Sequence, residues 1–409
     1  MKSFPCQPYK LYNSIKNYEW GTKNGQAFIP KFLGTQPEPN VPYAELWIGA
    51  HPNASSEIEI AGERIPMHRV VEQFPDETLG SYVREKFNGT FPFLLKVLSA
   101  EHALSIQTHP NKTQAQRLHQ QDPQNYPDDN HKPEIAIAID SLDALVGFQP
   151  LASIRNNLKT LPELTEFIGN KLIDPFLSDQ HRTDEAMLAQ KIYETMMHRA
   201  DEKERLSICI EGIRQRLEQK GQRSPEEEQF LEQYKLFGAD VGLLSFFFFN
   251  LIHLKTGEAI FTDAGIPHAY IKGNICECMA NSDNVVRAGL TNKFKDVPAL
   301  LDILRYDFAE CPVMKSQPDA SETIYPTSAQ EFEVRLYKKT SGCFEEQLSN
   351  QRPSVLLLTK GSLKLQWSSD GTSNASKYSA GESIFLPASL PKFRILAQTD
   401  VEYFSVVVP

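Results

Sequence analysis

Long hydrophobic runs, cysteine and surplus positive charge are all scarce in this chain of 409 residues, and each shortage excludes something. The most apolar stretch, 243–254 with four consecutive phenylalanines at 246–249, is too short to span a bilayer and is broken by Asn250 and His253. A buried strand is expected there. The six cysteines, at 6, 209, 276, 278, 311 and 343, are scattered. The opening Met-Lys-Ser-Phe-Pro-Cys has no apolar core of the kind a secretory leader needs. Reduced thiols and a cytoplasmic location are therefore expected. A formal net charge of −10 argues against broad binding of nucleic acid or anionic membrane, while leaving room for a local basic pocket.

What is present divides along the chain. The length exceeds what one hydrophobic core supports, so two or three domains are expected. Residues 1–150 read as short strands (44–49, 57–60, 93–97, 135–139) punctuated by Gly, Pro and Asn, as in a sandwich or barrel. From 151 to 242 the period becomes helical, with helices over 184–199 and 202–220. A third begins at Ser224, where Pro225 and Glu227 complete a capping box. Strands resume at 243–262, and 297–304 reads as a helix. A last strand-rich segment from 319 includes 354–360, 362–367, 382–385 and 401–408, with Gly361 and Gly371 placed as hairpin turns. It holds no histidine, so no metal site of its own is expected. There is no short internal repeat, though the first and last β-rich parts could be two copies of one fold.

Three short motifs carry metal-binding chemistry. In Leu-Ser-Ile-Gln-Thr-His-Pro (104–110), Gln107 and His109 are two apart in a strand-like context and would share a face. In Asn-His-Lys-Pro-Glu (130–134), Glu134 opens an alternating apolar segment. Gly-Ile-Pro-His-Ala-Tyr (265–270) adds His268. Two imidazoles, a carboxylate and an amide oxygen suit a catalytic divalent ion better than a structural one. Taken alone, a Gln-x-His pair is more often plain strand polarity. A denser polar stretch, 276–293, contains Glu277, Asn281, Asp283, Asn284, Arg287 and Lys293. By pattern it is a polar loop with Gly289 as a turn. Functionally, Arg287 could stabilise a developing anion or bind phosphate, and Glu277 could move a proton. Cys276 and Cys278 read as small buried residues. His51, His102, His119, His131 and His253 lack comparable company and read as structural or exposed.

Together these segments resemble the type I phosphomannose isomerases. The matching text is Tyr-Ala-Glu-Leu-Trp-Ile-Gly-Ala-His-Pro (43–52), the three motifs above, Gly-Glu-Ala-Ile-Phe (257–261) and the long block from Pro267 to Thr291. Asn-Tyr-Glu-Trp-Gly (17–21) also resembles the family's opening. The resemblance implies a mainly β protein of two cupin (jelly-roll) β-sandwich domains. Residues 1–150 with 243–318 would form the metal-bearing cupin, 151–242 a helical insertion, and 319–409 a metal-free cupin.

It also implies one zinc ion per chain, held by Gln107, His109, Glu134 and His268, and interconversion of mannose 6-phosphate and fructose 6-phosphate through a cis-enediol. Arg287 matches the family's active-site arginine. Lys132 and Glu277 are the candidates for moving the proton, Lys132 needing a depressed pKa to act as a base. Ser105, Lys96 and Lys293 match positions associated with the substrate phosphate, with Lys96 as a plain strand-edge lysine the alternative. The implied protein is a cytoplasmic monomer without protein, nucleic-acid or membrane partners, supplying mannose 6-phosphate for GDP-mannose synthesis or draining it to glycolysis.

Two departures stand out. Asn292 replaces the family's proline in Leu-Thr-Asn-Lys (290–293), and the last ~90 residues match only weakly. Two other readings compete. An iron or manganese oxidative cupin is disfavoured by Gln107 in the ligand set. A catalytically silent sugar-phosphate sensor is disfavoured because Arg287, Lys132 and Glu277 are all retained.

Overall fold

The computed structural model describes residues 4–178, 184–316, 320–348, 351–369 and 371–409. Helix and antiparallel strand occur in similar measure, so the chain is mixed rather than mainly β. The expectation of strands alone over 1–150 missed four α-helices, Phe28–Phe32, Met67–Gln73, Pro75–Lys86 and Lys112–Gln121. Their starts are legible in hindsight: Pro75 opens one, and Asn111 with Gln114 forms a complete capping box on another. Between 151 and 237 the described residues are helical as expected, in six helices from Leu151–Thr160 to Pro225–Phe237. The box at Ser224 forms, with the Ser224 backbone N–H donating to Glu227 at 2.9 Å and the Glu227 N–H to the Ser224 hydroxyl at 3.4 Å.

A nine-stranded antiparallel sheet positions the site. Its central order runs Phe249–Lys255, Glu134–Phe148, His268–Ala280, Phe93–Ala100, Glu45–Gly49, Ser14–Lys16. Ile106–Thr108 pairs with both His268–Ala280 and Val286–Gly289. Strand alternation sorts the side chains into two faces. Leu46, Ile48, Leu95, Val97, Ile135, Ile137, Cys276 and Cys278 join one apolar core with Phe332, Val355, Phe385 and Phe404 of the last segment. The intervening residues Glu45, Trp47, Lys96, Glu134 and Glu277 point to the opposite face. The two buried thiols are core residues, as their spacing suggested, and no disulfide joins any of the described cysteines.

The last segment forms a six-stranded and a four-stranded sheet. Strand Tyr9–Leu11, from the other end of the chain, pairs with Ser383–Leu386 of the former. Gly371 does turn a hairpin, between Ser362–Ser369 and Thr372–Ser379. Gly361 does not: the strands on either side of it belong to different sheets. Its φ of +73° and an absent Cβ, which would lie 2.0 Å from the Asp400 carbonyl, let the chain turn that corner.

Two further expectations needed correction. The four phenylalanines do not form a strand. Val241–Phe247 is a 3₁₀ turn, and only from Phe249 does a strand begin. All four rings are buried, and the change from 3₁₀ turn to strand aims them in different directions: Phe249 packs edge-on to Phe148 and Phe247 against Phe230. The strand expected at 135–139 instead continues to Phe148, because the polar residues around Asp140 and Ser141 are absorbed as a bulge. No helix among the described residues is long and apolar enough to cross a membrane.

Candidate metal centre and active-site cavity

Register brings the predicted residues together. Gln107 lies directly opposite His268 on one neighbouring strand and Arg287 on the other. Glu277 lies opposite Lys96, which lies opposite Trp47. His109 follows the end of its short strand, and its carbonyl accepts from the Gly265 N–H at 2.9 Å, tying it to the loop that presents His268. Of the predicted residues, Lys96, Ser105, Gln107, Lys132, Glu134, Glu277, Arg287 and Lys293 all line one cavity of about 800 Å³. His109 and His268 lie buried beside it, in contact with Glu134.

The His109, Glu134 and His268 ligand atoms all lie within 4.8 Å of one another. His109 Nδ1 meets the Asn284 carbonyl at 2.8 Å, and His268 Nδ1 meets the Ile266 carbonyl at 3.0 Å. A carbonyl only accepts, so both rings carry their proton on Nδ1, leaving Nε2 as a lone pair. Those lone pairs face Glu134 carboxylate oxygens at 3.4 Å for His109 and 3.1 Å for His268. Acceptors facing acceptors in a buried site, with no donor between them, are unfavourable unless a cation joins them. Ligand atoms about 2.0–2.1 Å from a tetrahedral zinc are about 3.3 Å apart, which matches both separations. The donor set therefore fits a borderline divalent ion. Gln107, on the adjoining strand, can offer its amide oxygen from the cavity side.

Electrostatics supports the same arrangement. Burial pushes the His109 ring down to about 4, only partly offset by Glu134. Burial also acts to raise Glu134, but the Lys132 ammonium, 3.2 Å away, outweighs it and holds the carboxyl well below its ordinary range. Glu277 is raised, first by burial, with Lys96 opposing. Lys96 stands between Glu277 at 3.0 Å and Glu45 at 3.8 Å. These carboxylates outweigh its burial and keep it protonated.

By contrast, the side chains of Arg287 and Lys293 make no hydrogen bond or ion pair with any described residue. Arg287 is half-buried, and desolvation lowers its pKa. An unpaired guanidinium and an unpaired ammonium lining one cavity form a receptor for an anion.

Sequence reasoning missed several lining residues. Trp47 donates from its indole nitrogen to Glu45 at 2.6 Å, and Tyr270 and Tyr18 also face the cavity. The signal was present for Glu45 and Trp47, two apart within a quoted motif and therefore on one strand face. His51 and His131, read as lacking company, have partners. His51 is buried edge-on against Trp47 with Asp283 at 3.5 Å, and His131 meets Glu331 at 2.8 Å.

Comparison with known proteins decides the family. The family model described as phosphomannose isomerase type I, catalytic domain, matches residues 9–151. The mannose-6-phosphate isomerase of the yeast Ogataea parapolymorpha is 36% identical over 406 residues, covering 92% of each chain. The chain belongs to the type I phosphomannose isomerase family. The human mannose-6-phosphate isomerase is 36% identical over 378 residues, covering 87% of this chain and 88% of the human one. Among solved structures, a phosphomannose isomerase from Salmonella typhimurium, crystallised as an arginine-to-alanine variant, superposes with a TM-score of 0.86. It is 27% identical and covers 98% of this chain and 99% of its own. A zinc-bound mannose 6-phosphate isomerase gives a TM-score of 0.83 at 28% identity, with the same coverage. As a member of this family the chain is an isomerase.

Proposed function

We propose that the chain interconverts mannose 6-phosphate and fructose 6-phosphate with one zinc ion per chain, held by Gln107, His109, Glu134 and His268. The observation that carries this reading is the set of buried lone pairs at His109, Glu134 and His268, adjoining a cavity that holds an unpaired Arg287. Bound there, zinc supplies a Lewis acid for the sugar's carbonyl and hydroxyl oxygens. The chain's own groups supply the rest. Exchange between aldose and ketose needs a proton to leave C2 and arrive at C1. Glu277, whose carboxyl burial has raised, can hold that proton, and Lys132 is the second candidate. Arg287 offsets the negative charge of the enediolate, and Lys293 with Ser105 receives the phosphate. Lys96 lines the same cavity, but two carboxylates neutralise its ammonium, which supports a part in tuning Glu277 ahead of phosphate contact.

The same reading divides the chain into a metal-bearing cupin of 1–150 with 243–318, a helical insertion of 151–242 and a histidine-free cupin of 319–409. The confinement of helices Leu151–Thr160 through Pro225–Phe237 to the inserted stretch supports it. The chain would work as a cytoplasmic monomer that feeds or drains mannose 6-phosphate, and described cysteines outside any disulfide fit a reducing compartment. The deciding experiment measures mannose 6-phosphate conversion by purified protein before chelation, after chelation and after zinc is returned. Activity lost and then restored is expected. Full activity after verified metal loss would rule out the zinc role, and no activity in any state would rule out the isomerase.

A further inference from the structure

The loop between helix Lys112–Gln121 and strand Glu134–Phe148 carries a carboxylate that no step of the proposed reaction uses. Asp128 Oδ1 accepts from the Ser282 hydroxyl at 2.8 Å, the Asn130 N–H at 2.9 Å and the Asn284 amide at 3.1 Å. Its Oδ2 accepts from the Asp283 N–H at 2.7 Å. The Asn284 amide also donates to the Asp128 and Asn130 carbonyls, at 2.7 and 2.9 Å. The Ser282 hydroxyl, held by Asp128, accepts from the Asn284 N–H at 3.1 Å. Asn284 is fully buried and lies in no helix or strand, so no regular ladder fixes its peptide. That peptide carries the carbonyl to which His109 donates from Nδ1.

We propose that Asp128 is a positioning residue for the metal centre, fixing the Asn284 carbonyl so that His109 keeps its Nδ1 proton and presents Nε2 to the ion. The proposal rests on the metal-centre reading above. A group that holds a ligating histidine sets both its tautomer and its ring orientation, and loss of such a group lowers metal affinity by about 10–100-fold. Asp128 acts one link further out, through Asn284, so its removal belongs at the lower end, about tenfold. His268 takes its fixing hydrogen bond from Ile266 instead and is independent of this loop.

The test measures zinc dissociation constants of the full chain by competition with a chromophoric chelator, for wild type, Asp128→Ala, Asp128→Asn, Asp129→Ala and His268→Ala. In parallel, ring Nδ1–H signals are recorded on zinc-loaded protein carrying ¹⁵N-histidine. Asp128→Ala is expected to bind zinc about tenfold more weakly, with the His109 signal altered and the His268 signal unchanged. Asp128→Asn keeps one acceptor oxygen and is expected to lose less. Asp129, whose carboxylate meets the exposed Lys112, is expected to have no effect. If Asp128→Ala does not fold, Asp128→Asn decides by the same two readouts. Wild-type zinc affinity in the Asp128 variant, or equal disturbance of both rings, would overturn the proposal. Should His268→Ala also keep zinc, the metal-centre reading itself has failed; if only that variant loses zinc, the positioning role alone has failed.

Discussion

The Lys96 ammonium lies 3.0 Å from the Glu277 carboxylate on the adjacent strand, both side chains almost wholly shut off from water. Removing one member of a buried ion pair leaves the other charge uncompensated, at a cost of about 3–5 kcal/mol. Lys96→Met, which keeps the volume of the stem, is therefore expected to lower unfolding stability by about 3 kcal/mol in urea titrations. A change under about 0.5 kcal/mol would mean that Glu277 is protonated in the native protein and the pair is not ionic.

Glu277→Gln separates the two candidate proton carriers. The amide oxygen can still accept from Lys96, so the fold is expected to survive, while the site for a transferred proton is gone. Turnover is expected to fall by about 10²–10⁴-fold with little change in KM. Wild-type turnover in steady-state kinetics would remove Glu277 from the reaction and leave Lys132 as the carrier.

Acid sensitivity follows from the metal centre. In the metal-free protein burial holds the His109 ring near 4, against an ordinary 6.5. Between those values the unfolded chain takes up a proton that the native chain refuses, so stability falls as pH falls. The slope is about 1.4 kcal/mol per pH unit. His51, lowered chiefly by burial, acts in the same direction. Glu134, held well below 4.5, contributes stability that is lost further into acid. The urea midpoint of metal-free protein is expected to be lower at about pH 5 than at about pH 7. A midpoint that rises on acidification would contradict the neutral, buried state of these rings.

How much of this was legible beforehand depended on the range of each interaction. Gln107, Glu134 and His268 stand in runs whose alternation and flanking prolines reveal a strand, so their faces could be read locally. The helical stretch carried its own start signal at Ser224, Pro225 and Glu227. What alternation could not reveal was pairing between distant segments. His131 meets Glu331 across 200 residues, and Asp128 meets Asp283 across 155. The bulge at Asp140–Leu142 was opaque for the same reason, since polar residues look like a turn until Gly273 is seen opposite. A Cβ on that glycine would lie 2.0 Å from the Ser141 carbonyl. The phenylalanine run misled because four buried rings in succession suit a strand covered on both faces as well as a 3₁₀ turn.

The close approach of two glycines gives the last prediction. A Cβ on Gly289 would lie 2.4 Å from the Gly242 Cα, and the Leu290 N–H beside it donates to Asp240 at 2.7 Å. These contacts set the path of the chain between Arg287 and Lys293, so an added methyl must push that path away from Gly242. Gly289→Ala is expected to cost about 1–3 kcal/mol through overpacking. Because Arg287 and Lys293 move while His109, Glu134 and His268 do not, KM for the sugar phosphate is expected to rise with zinc content unchanged. Gly25→Ala, where a Cβ meets nothing within 4 Å, is the matched control and is expected to change neither. A Gly289→Ala protein of lowered stability but wild-type KM would show that the path of this loop does not govern substrate binding.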